Sequence, residues 1–318
     1  VLPDIYDTRA GIGDDNQVRN QGISLTAAWE LTDAITLKSI TAYRDGVTHT
    51  LIDFDTSPAP ALDVPGFYED DQTTQELQFL YEGERLPGVA GLYYPDAHAA
   101  GKFDTIVGLL NLTIATSGFV DTTSYAAYAD FSYDFTDKLS ASLGGRYTSD
   151  EKEGGVYRQN FTGLYSPQFG NNAAVPGLVR SDYTNDRTFD QFTPRASISY
   201  EFTDTFTTYA SYSEGFKSGG FDMRGDVVLT PDTVNGYDPE TVQSYEIGTK
   251  GTLFDDRLSY NFAAFYADYS DQQITRQQPT VTGSIASFVD NAGASTIQGV
   301  ELEGVVQFSD RFSLNYGV

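Results

Sequence analysis

Alternation of apolar and polar residues with a period of two is the feature that most constrains this chain. From residue 139 to residue 147 the odd positions read Leu, Ala, Leu, Gly and Tyr, and the even positions read Ser, Ser, Gly and Arg. Side chains of a β-strand point alternately to two faces, whereas a helix repeats about every 3.6 residues. The same alternation recurs at 125–135, 192–202, 258–266 and 298–308. The pattern predicts strands with one apolar and one polar face.

Short acidic turns with a shared pattern join these runs. An aromatic or aliphatic stretch leads into a turn that contains Asp, and a second alternating run leaves it. The five copies are 29–35 (WELTDAI), 133–139 (YDFTDKL), 200–206 (YEFTDTF), 253–258 (LFDDRL) and 307–312 (QFSDRF). Asp, Thr and Ser favour turns because their side chains hydrogen-bond to the nearby backbone. The repeats predict tight hairpins between neighbouring antiparallel strands.

The lengths of strands and links favour a barrel in a membrane. About twelve strands are predicted, near 21–31, 35–46, 72–81, 88–95, 122–135, 139–158, 187–202, 205–217, 240–254, 258–275, 286–308 and 311–318. Long links are predicted near 45–71, 96–121, 159–186, 218–239 and 276–285. A tilted membrane strand takes about 9 to 11 residues. We therefore predict an all-β, antiparallel transmembrane β-barrel with long outer loops and short periplasmic turns. A soluble sandwich or β-solenoid would need neither this strand length nor loops sorted by length.

Composition excludes several classes of function. The chain has no Cys, which rules out disulfides, thiolate metal sites and a cysteine nucleophile. Its formal net charge of −26 disfavours nucleic acid as a partner. The mean hydropathy of −0.34 does not argue against a barrel, because lipid-facing and lumen-facing residues average each other out along a strand.

Three blocks, in this order, resemble the barrel of TonB-dependent outer-membrane receptors. They are 192–200 (FTPRASISY), 209–221 (YASYSEGFKSGGF) and 239–250 (PETVQSYEIGTK). Weaker similarity lies at 40–44 (ITAYR), 74–79 (TQELQF) and 299–303 (GVELE). The resemblance covers most of the chain, but it includes neither the N-terminal plug domain of that family nor its TonB box. It implies that residues 1–318 are part of a larger barrel of roughly 22 strands with a plugged lumen, and that the plug and the C-terminal strands lie outside this sequence.

The resemblance also implies a function. It implies a receptor in the bacterial cell outer membrane that takes up a scarce nutrient, by default an iron–siderophore complex. The implied partners are outer-membrane lipid, the small-molecule nutrient or metal chelate, and the TonB–ExbB–ExbD complex acting through the missing N-terminal part. No cofactor is expected. An open sheet of about twelve strands would leave two unpaired edges in lipid, so a stable membrane protein is not expected from this chain alone.

Two other functions fit the same alternation and loop pattern. A passive porin or channel would lack the plug and the TonB box, and a surface adhesin would bind a surface without energy-dependent uptake. Catalysis is not expected, because His49 and His98 have neither metal-site spacing nor a Gly-x-Ser-x-Gly elbow beside them.

The alternation along each strand predicts which face a residue lies on, and this selects candidate site residues. Charged residues on the polar face are expected to contact the plug or line the substrate path, with a solvated barrel wall as the alternative. They are Lys38, Arg44, Glu76, Arg146, Arg195, Glu246, Lys250, Glu301 and Glu303. Tyr93, Tyr94 and Lys217 are weaker candidates for ligand contact from the outer loops. The Gly-rich stretch around Lys217 superficially resembles a phosphate loop but lacks its spacing.

Two further groups of residues, one acidic and one aromatic, are expected to have structural roles. The acidic run 69–71, together with Asp53 and Asp55, has no EF-hand spacing, so a solvated loop face is favoured and no metal site is expected. Outward aromatic residues near strand ends are expected to anchor the barrel at the membrane interface. They are Trp29, Tyr43, Phe135, Tyr147, Tyr200, Phe202, Phe254 and Phe308.

Overall fold

The computed structural model describes residue 9 and residues 11–164, 173–279 and 285–318. The strands are β1 (Gln17–Thr32), β2 (Ile35–Asp53), β3 (Leu62–Tyr81), β4 (Gly88–Val107), β5 (Leu112–Asp134), β6 (Leu139–Thr162), β7 (Val175–Thr203), β8 (Phe206–Lys217), β9 (Glu240–Leu253), β10 (Leu258–Ser270), β11 (Gln273–Pro279), β12 (Ile285–Asn291), β13 (Ser295–Ser309) and β14 (Phe312–Gly317). Two short 3-10 helices lie at Gly108–Leu110 and Pro231–Asn235. Among the described residues, no helix is long and apolar enough to cross a membrane.

Twelve strands form one antiparallel sheet in which each strand pairs with its neighbour in the chain. The order runs from β1 through β10 and then to β13 and β14, and β11 and β12 form a separate two-stranded hairpin between β10 and β13. The strands β1 and β14 are the edges of the described sheet. The antiparallel all-β prediction and the predicted number of strands are confirmed.

The two faces of the sheet differ in chemistry. Residues 218–239 cover one face, which we call the inner face; cross-strand partners such as Tyr128, Arg146 and Thr193 share that face. The opposite, outer face carries large apolar side chains that are exposed to the surroundings. Examples are Ile23, Leu25, Leu77, Leu92, Leu143, Ile198, Ile247 and Val300. A continuous apolar face of this kind is what a surface in contact with lipid requires.

Aromatic rings border the apolar outer face at two levels. Near the short turns, which define the lower end of the sheet, Tyr133 packs against Phe135 at 4.9 Å and Tyr200 against Phe202 at 4.7 Å. At the upper level Tyr125 packs against Tyr94 at 5.3 Å. From 125 to 133 the strand advances about 26 Å along its own axis, and nine residues is about the length that a tilted strand needs to cross the lipid. All the predicted interface aromatics are exposed: Trp29, Tyr43, Phe135, Tyr147, Tyr200, Phe202, Phe254 and Phe308.

The strands are longer than the sequence predicted. Most of the links predicted at 45–71, 96–121 and 159–186 are strand, because β2 to β7 continue well above the upper aromatic level. The strand predicted at 258–275 ends at Ser270, and the one predicted at 286–308 divides into β12 and β13. Above the lipid both faces meet water or protein, so the apolar alternation that marks a membrane strand is no longer required there. Parts of the links at 159–186 and 276–285 lie outside the described residues.

Charge placed on the two faces should have different costs. Ala129 lies on the outer face between the aromatic levels and is exposed, whereas Ser132 lies on the inner face. We expect Ala129→Arg to destabilise the full-length barrel by about 2–4 kcal/mol, because the new charge would sit in lipid. Ser132→Arg should be nearly neutral. Equal effects in a refolding titration would contradict the assignment of the faces.

Candidate functional site

The connection between β8 and β9, residues 218–239, folds back over the inner face at the upper end of the sheet. Its two ends are joined by Gly220 and Tyr237, which exchange backbone hydrogen bonds of 3.1 and 2.8 Å. The 3-10 helix Pro231–Asn235 closes the far side of this loop. Phe221 and Asp222, which belong to this loop, are buried. We call residues 218–239 the cover segment.

Alternate residues of β7 hold the cover segment in place. The hydroxyl of Ser181 donates to the carbonyl of residue 225 at 2.7 Å, and the amide of Asn185 donates to that of residue 234, also at 2.7 Å. Tyr183 donates to residue 233 at 3.4 Å and Arg187 to residue 235 at 3.0 Å. Because strand side chains alternate, these four residues all point to the inner face. The strand therefore presents a row of donors to one edge of the cover segment.

A buried ion pair fixes the same edge. Arg180 Nε lies 2.6 Å from Asp226 Oδ2, and Arg158 Nε lies 3.9 Å from the same oxygen. Asp226 is only 5% exposed. Burial lowers the pKa of Arg158, while the Asp226 carboxylate raises it. Removing one member of such a buried group leaves an uncompensated charge, so the cover segment is tied firmly to β6 and β7.

Glycines on the inner face of three strands leave space for the cover segment. A Cβ at Gly154 would lie 2.5 Å from the ring of Phe221. A Cβ at Gly118 would lie 3.1 Å from Cβ of Met223, and one at Gly101 would lie 3.2 Å from its Cε. Phe221 and Met223 therefore pack directly on the backbone of β4, β5 and β6.

A cavity of about 370 Å³ remains between the cover segment and the sheet. Its wall includes Tyr68, Asp70 and Val156 from the strands, and Met223 and Tyr237 from the cover segment. Burial raises the pKa of Tyr68 and of Tyr237, so both phenols are neutral near neutral pH and can donate a hydrogen bond. A mainly apolar cavity of this volume with a few polar groups has the character of a small-molecule site.

The β11–β12 hairpin borders a second, more polar cavity. Val289 N donates to Asp222 Oδ2 at 2.8 Å, and the same carboxylate holds Arg224 through two contacts of 2.9 Å. Asn291 and Asp238 exchange two hydrogen bonds. The cavity, about 390 Å³, lies against Asp222, Arg276 and Asp290. The hairpin thus adds charged groups beside the apolar cavity.

Lower on the inner face, three of the charged residues predicted from the sequence line one cavity. Tyr128 donates to Glu76, and the guanidinium of Arg146 lies 5.8 Å from the ring of Tyr128 and 5.4 Å from that of Tyr93. Arg195 Nε lies 3.1 Å from Asp130 Oδ2. A cavity of about 370 Å³ is lined by Glu76, Arg146 and Arg195.

The other predicted residues are more dispersed. Glu246 accepts from Tyr209 at 2.6 Å, and Glu303 accepts from Asn261 at 3.2 Å. By register, Lys38, Arg44, Lys250 and Glu301 also lie on the inner face.

Of the three predicted ligand contacts, Tyr93 and Tyr94 do not lie beside a loop, because β4 continues to Val107. Tyr94 lies on the outer face with the upper aromatic level, and its ligand role has no support from this position. Lys217 ends β8 beside the cover segment.

The residues that line the upper cavity were missed by the sequence reasoning. Tyr68 lies within the predicted link 45–71, and Met223 and Tyr237 lie within the predicted link 218–239. One signal was present: donors at 181, 183 and 185 alternate within the predicted link 159–186, and residue 187, at the start of the next predicted strand, continues the period. Their period of two indicates a strand with a binding face.

The open twelve-stranded sheet, its apolar outer face and its covered inner face define part of the wall of an outer-membrane β-barrel. Residues 2–318 match the family described as "TonB dependent receptor-like, beta-barrel", and the chain belongs to that family. Barrels of this family are outer-membrane proteins of Gram-negative bacteria.

Individual relatives are more distant. The pesticin receptor of Yersinia enterocolitica is 24% identical over 246 residues, covering 76% of this chain and 32% of that receptor. The ferric-pyoverdine receptor PbuA of Pseudomonas sp. is 33% identical over 129 residues, covering 40% of this chain and 14% of that receptor. Among solved structures, the ferric yersiniabactin uptake receptor FyuA from Yersinia pestis superposes with a TM-score of 0.75 at 19% identity, covering 96% of this chain and 43% of FyuA. The chain thus spans less than half the length of each.

Gly154→Ala should loosen the cover segment, because the added methyl would overlap the Phe221 ring. Overpacking of this kind costs about 1–3 kcal/mol. We expect trypsin to cleave the full-length receptor after Arg224 faster in this variant than in wild type. Gly317→Ala is the control, since no described atom lies within 4 Å of its Cβ position. Unchanged cleavage in Gly154→Ala would contradict the packing.

Proposed function

We propose that the full-length receptor imports a scarce nutrient across the outer membrane, and that its first cargo to test is a ferric siderophore. The family supports nutrient uptake, and the relatives are named as receptors for pesticin, ferric pyoverdine and ferric yersiniabactin. Transport, not catalysis, is the activity that such receptors share. Energy for release would come from the TonB–ExbB–ExbD complex through a plug outside this sequence.

The cavity beneath the cover segment is the observation that carries this proposal. It lies on the inner face above the membrane band, so a ligand held there would already be positioned over the lumen. Tyr68 and Tyr237 offer neutral hydroxyl donors and ring faces, and Met223 and Val156 offer apolar contact. This mixture suits a small organic chelate with aromatic and oxygen-bearing groups.

The lower cluster of Glu76, Arg146 and Arg195 is proposed as the surface that meets the plug. These side chains face the lumen and lie around one cavity, where charged partners on a plug could pair with them. A solvated wall would contain the same charges, so the distinction requires the complete receptor. Arg195→Ala should then weaken the binding of the plug to the barrel wall without altering the cavity beneath the cover segment.

Uptake by the full-length gene in a deletion strain tests the function itself. Cells are given radiolabelled ferric siderophores with and without a protonophore. We expect accumulation that stops when the proton gradient collapses, since the family is energised across the inner membrane. Accumulation that persists would indicate a passive porin, and surface binding without accumulation would indicate an adhesin; either result would overturn the proposal.

Binding of the siderophore that supports uptake tests the cavity. We expect Tyr237→Ala and Tyr68→Ala to weaken equilibrium binding about tenfold, equivalent to about 1.4 kcal/mol. Tyr157→Ala is the matched control, because Tyr157 is on the same upper wall but points to the outer face. Equal affinity for all three variants and wild type would place the ligand elsewhere.

A further inference from the structure

Three carboxylates meet at the upper tip of the hairpin formed by β2 and β3. One oxygen from each of Asp53, Asp55 and Asp63 lies within 4.8 Å of the other two. Asp53 is the last residue of β2, and register pairs it with Asp63 near the start of β3. Cross-strand pairing puts these two side chains on one face. Asp55 lies in the link between the two strands, residues 54–61.

Asp63 is the unusual member of this group. It is only 5% exposed, and its Oδ1 has no hydrogen-bond partner among the described residues. An anionic oxygen that is buried without a partner is costly, unless a cation or a donor compensates it. Burial is the main cause that raises the pKa of Asp63, and the charges of Asp53 and Asp55 add to it. Within the described part of the chain, no basic group pairs with these three carboxylates.

The other two carboxylates are held in fixed positions by the backbone. Asp53 Oδ1 accepts from the amides of residues 55 and 56 at 3.1 and 2.6 Å, and its Oδ2 accepts from Gly11 at 2.8 Å. Asp55 Oδ2 accepts from the amide of Leu62 at 2.8 Å. Each carboxylate offers about four lone-pair sites, so these oxygens can also ligate a metal. The tip is thus organised before any cation binds.

We propose that Asp53, Asp55 and Asp63 bind a calcium ion at the tip of the β2–β3 hairpin. All the ligands are hard carboxylate oxygens, which suit Ca²⁺ and Mg²⁺ and disfavour softer metals. Calcium–oxygen distances of about 2.4 Å place opposing ligands about 4.8 Å apart, whereas Mg²⁺ needs a tighter octahedron. Backbone carbonyls or water would complete the coordination of calcium.

The ion would join three parts of the chain. Asp53, at the end of β2, accepts a hydrogen bond from Gly11, which precedes β1; Asp55 lies in the hairpin link and Asp63 lies in β3. Calcium would therefore cross-link the tops of β1, β2 and β3 on the extracellular side. Asp53 and Asp55 were grouped with the acidic run 69–71 in the sequence, where no metal site was expected. Register places that run opposite 45–47, far below the tip, so it is not part of the proposed site.

Calorimetric titration of Ca²⁺ into the calcium-free full-length receptor in detergent tests the proposal. We expect one site in wild type, at least tenfold weaker binding in Asp63→Asn, and a Ca²⁺-dependent rise in the melting temperature that is lost in this variant. Asp71→Asn is the matched control, because it removes one charge from the same strand outside the cluster, and it should bind as wild type does.

Several results would overturn the site. They are the absence of calcium binding to wild type, wild-type affinity in Asp63→Asn, or loss of binding in Asp71→Asn instead. Asp55→Asn provides a second variant, and heat-dependent mobility on gels verifies that each variant is folded. Mg²⁺ titrated alone should bind more weakly than Ca²⁺. Because binding is measured without siderophore, the outcome is separate from that of the uptake experiment.

Discussion

Lipid offers no hydrogen-bond partners, so every backbone N–H and C=O of a membrane strand must be paired within the sheet. An antiparallel ladder between chain neighbours meets this demand with short turns, and the twelve-stranded sheet follows that order from β1 to β14. For the same reason each strand crosses the whole lipid layer. The thickness of that layer then fixes the spacing between the two aromatic levels. Side-chain chemistry then has to alternate, because one face meets lipid and the other meets the lumen.

This constraint explains which parts of the fold could be predicted from the sequence. The run 139–147 alternates cleanly because it crosses the lipid, and the turn after Phe135 was recognisable because Thr136 and Asp137 favour turns. The upper part of β3 was not recognisable. Residues 62–71 contain Pro, Gly and four acids, a composition typical of loops, yet β2 and β4 pair with them on both sides. Tertiary pairing overrides local preference there, since no lipid selects the residues.

The candidate site, like the fold, could be predicted from the sequence only in part. Parity was enough to predict that Glu76, Arg146 and Arg195 share the inner face, because facing is a local property of each strand. Contacts across distant parts of the chain could not be predicted in this way. Phe221 meets Gly154 and Met223 meets Gly118 only because the cover segment folds back over the sheet. Likewise, Asp63 meets Asp53 only through the register of the hairpin, which the sequence alone does not give.

The way the cover segment is anchored bears on how such a site can change its ligand. Side chains of β6 and β7 donate mainly to its backbone carbonyls: Lys152 to residue 219, Arg158 to residue 224, Ser181 to residue 225 and Asn185 to residue 234. Every residue type carries a carbonyl, so these bonds constrain the path of the segment much more than its sequence. Asp226 and Asp238 are exceptions, because their side-chain carboxylates pair with arginines of β6 and β7. In the proposed ligand site, a side chain that faces the cavity, such as that of Tyr237, could therefore be replaced while the path of the cover segment is kept. Such a replacement would separate the choice of ligand from the stability of the barrel wall.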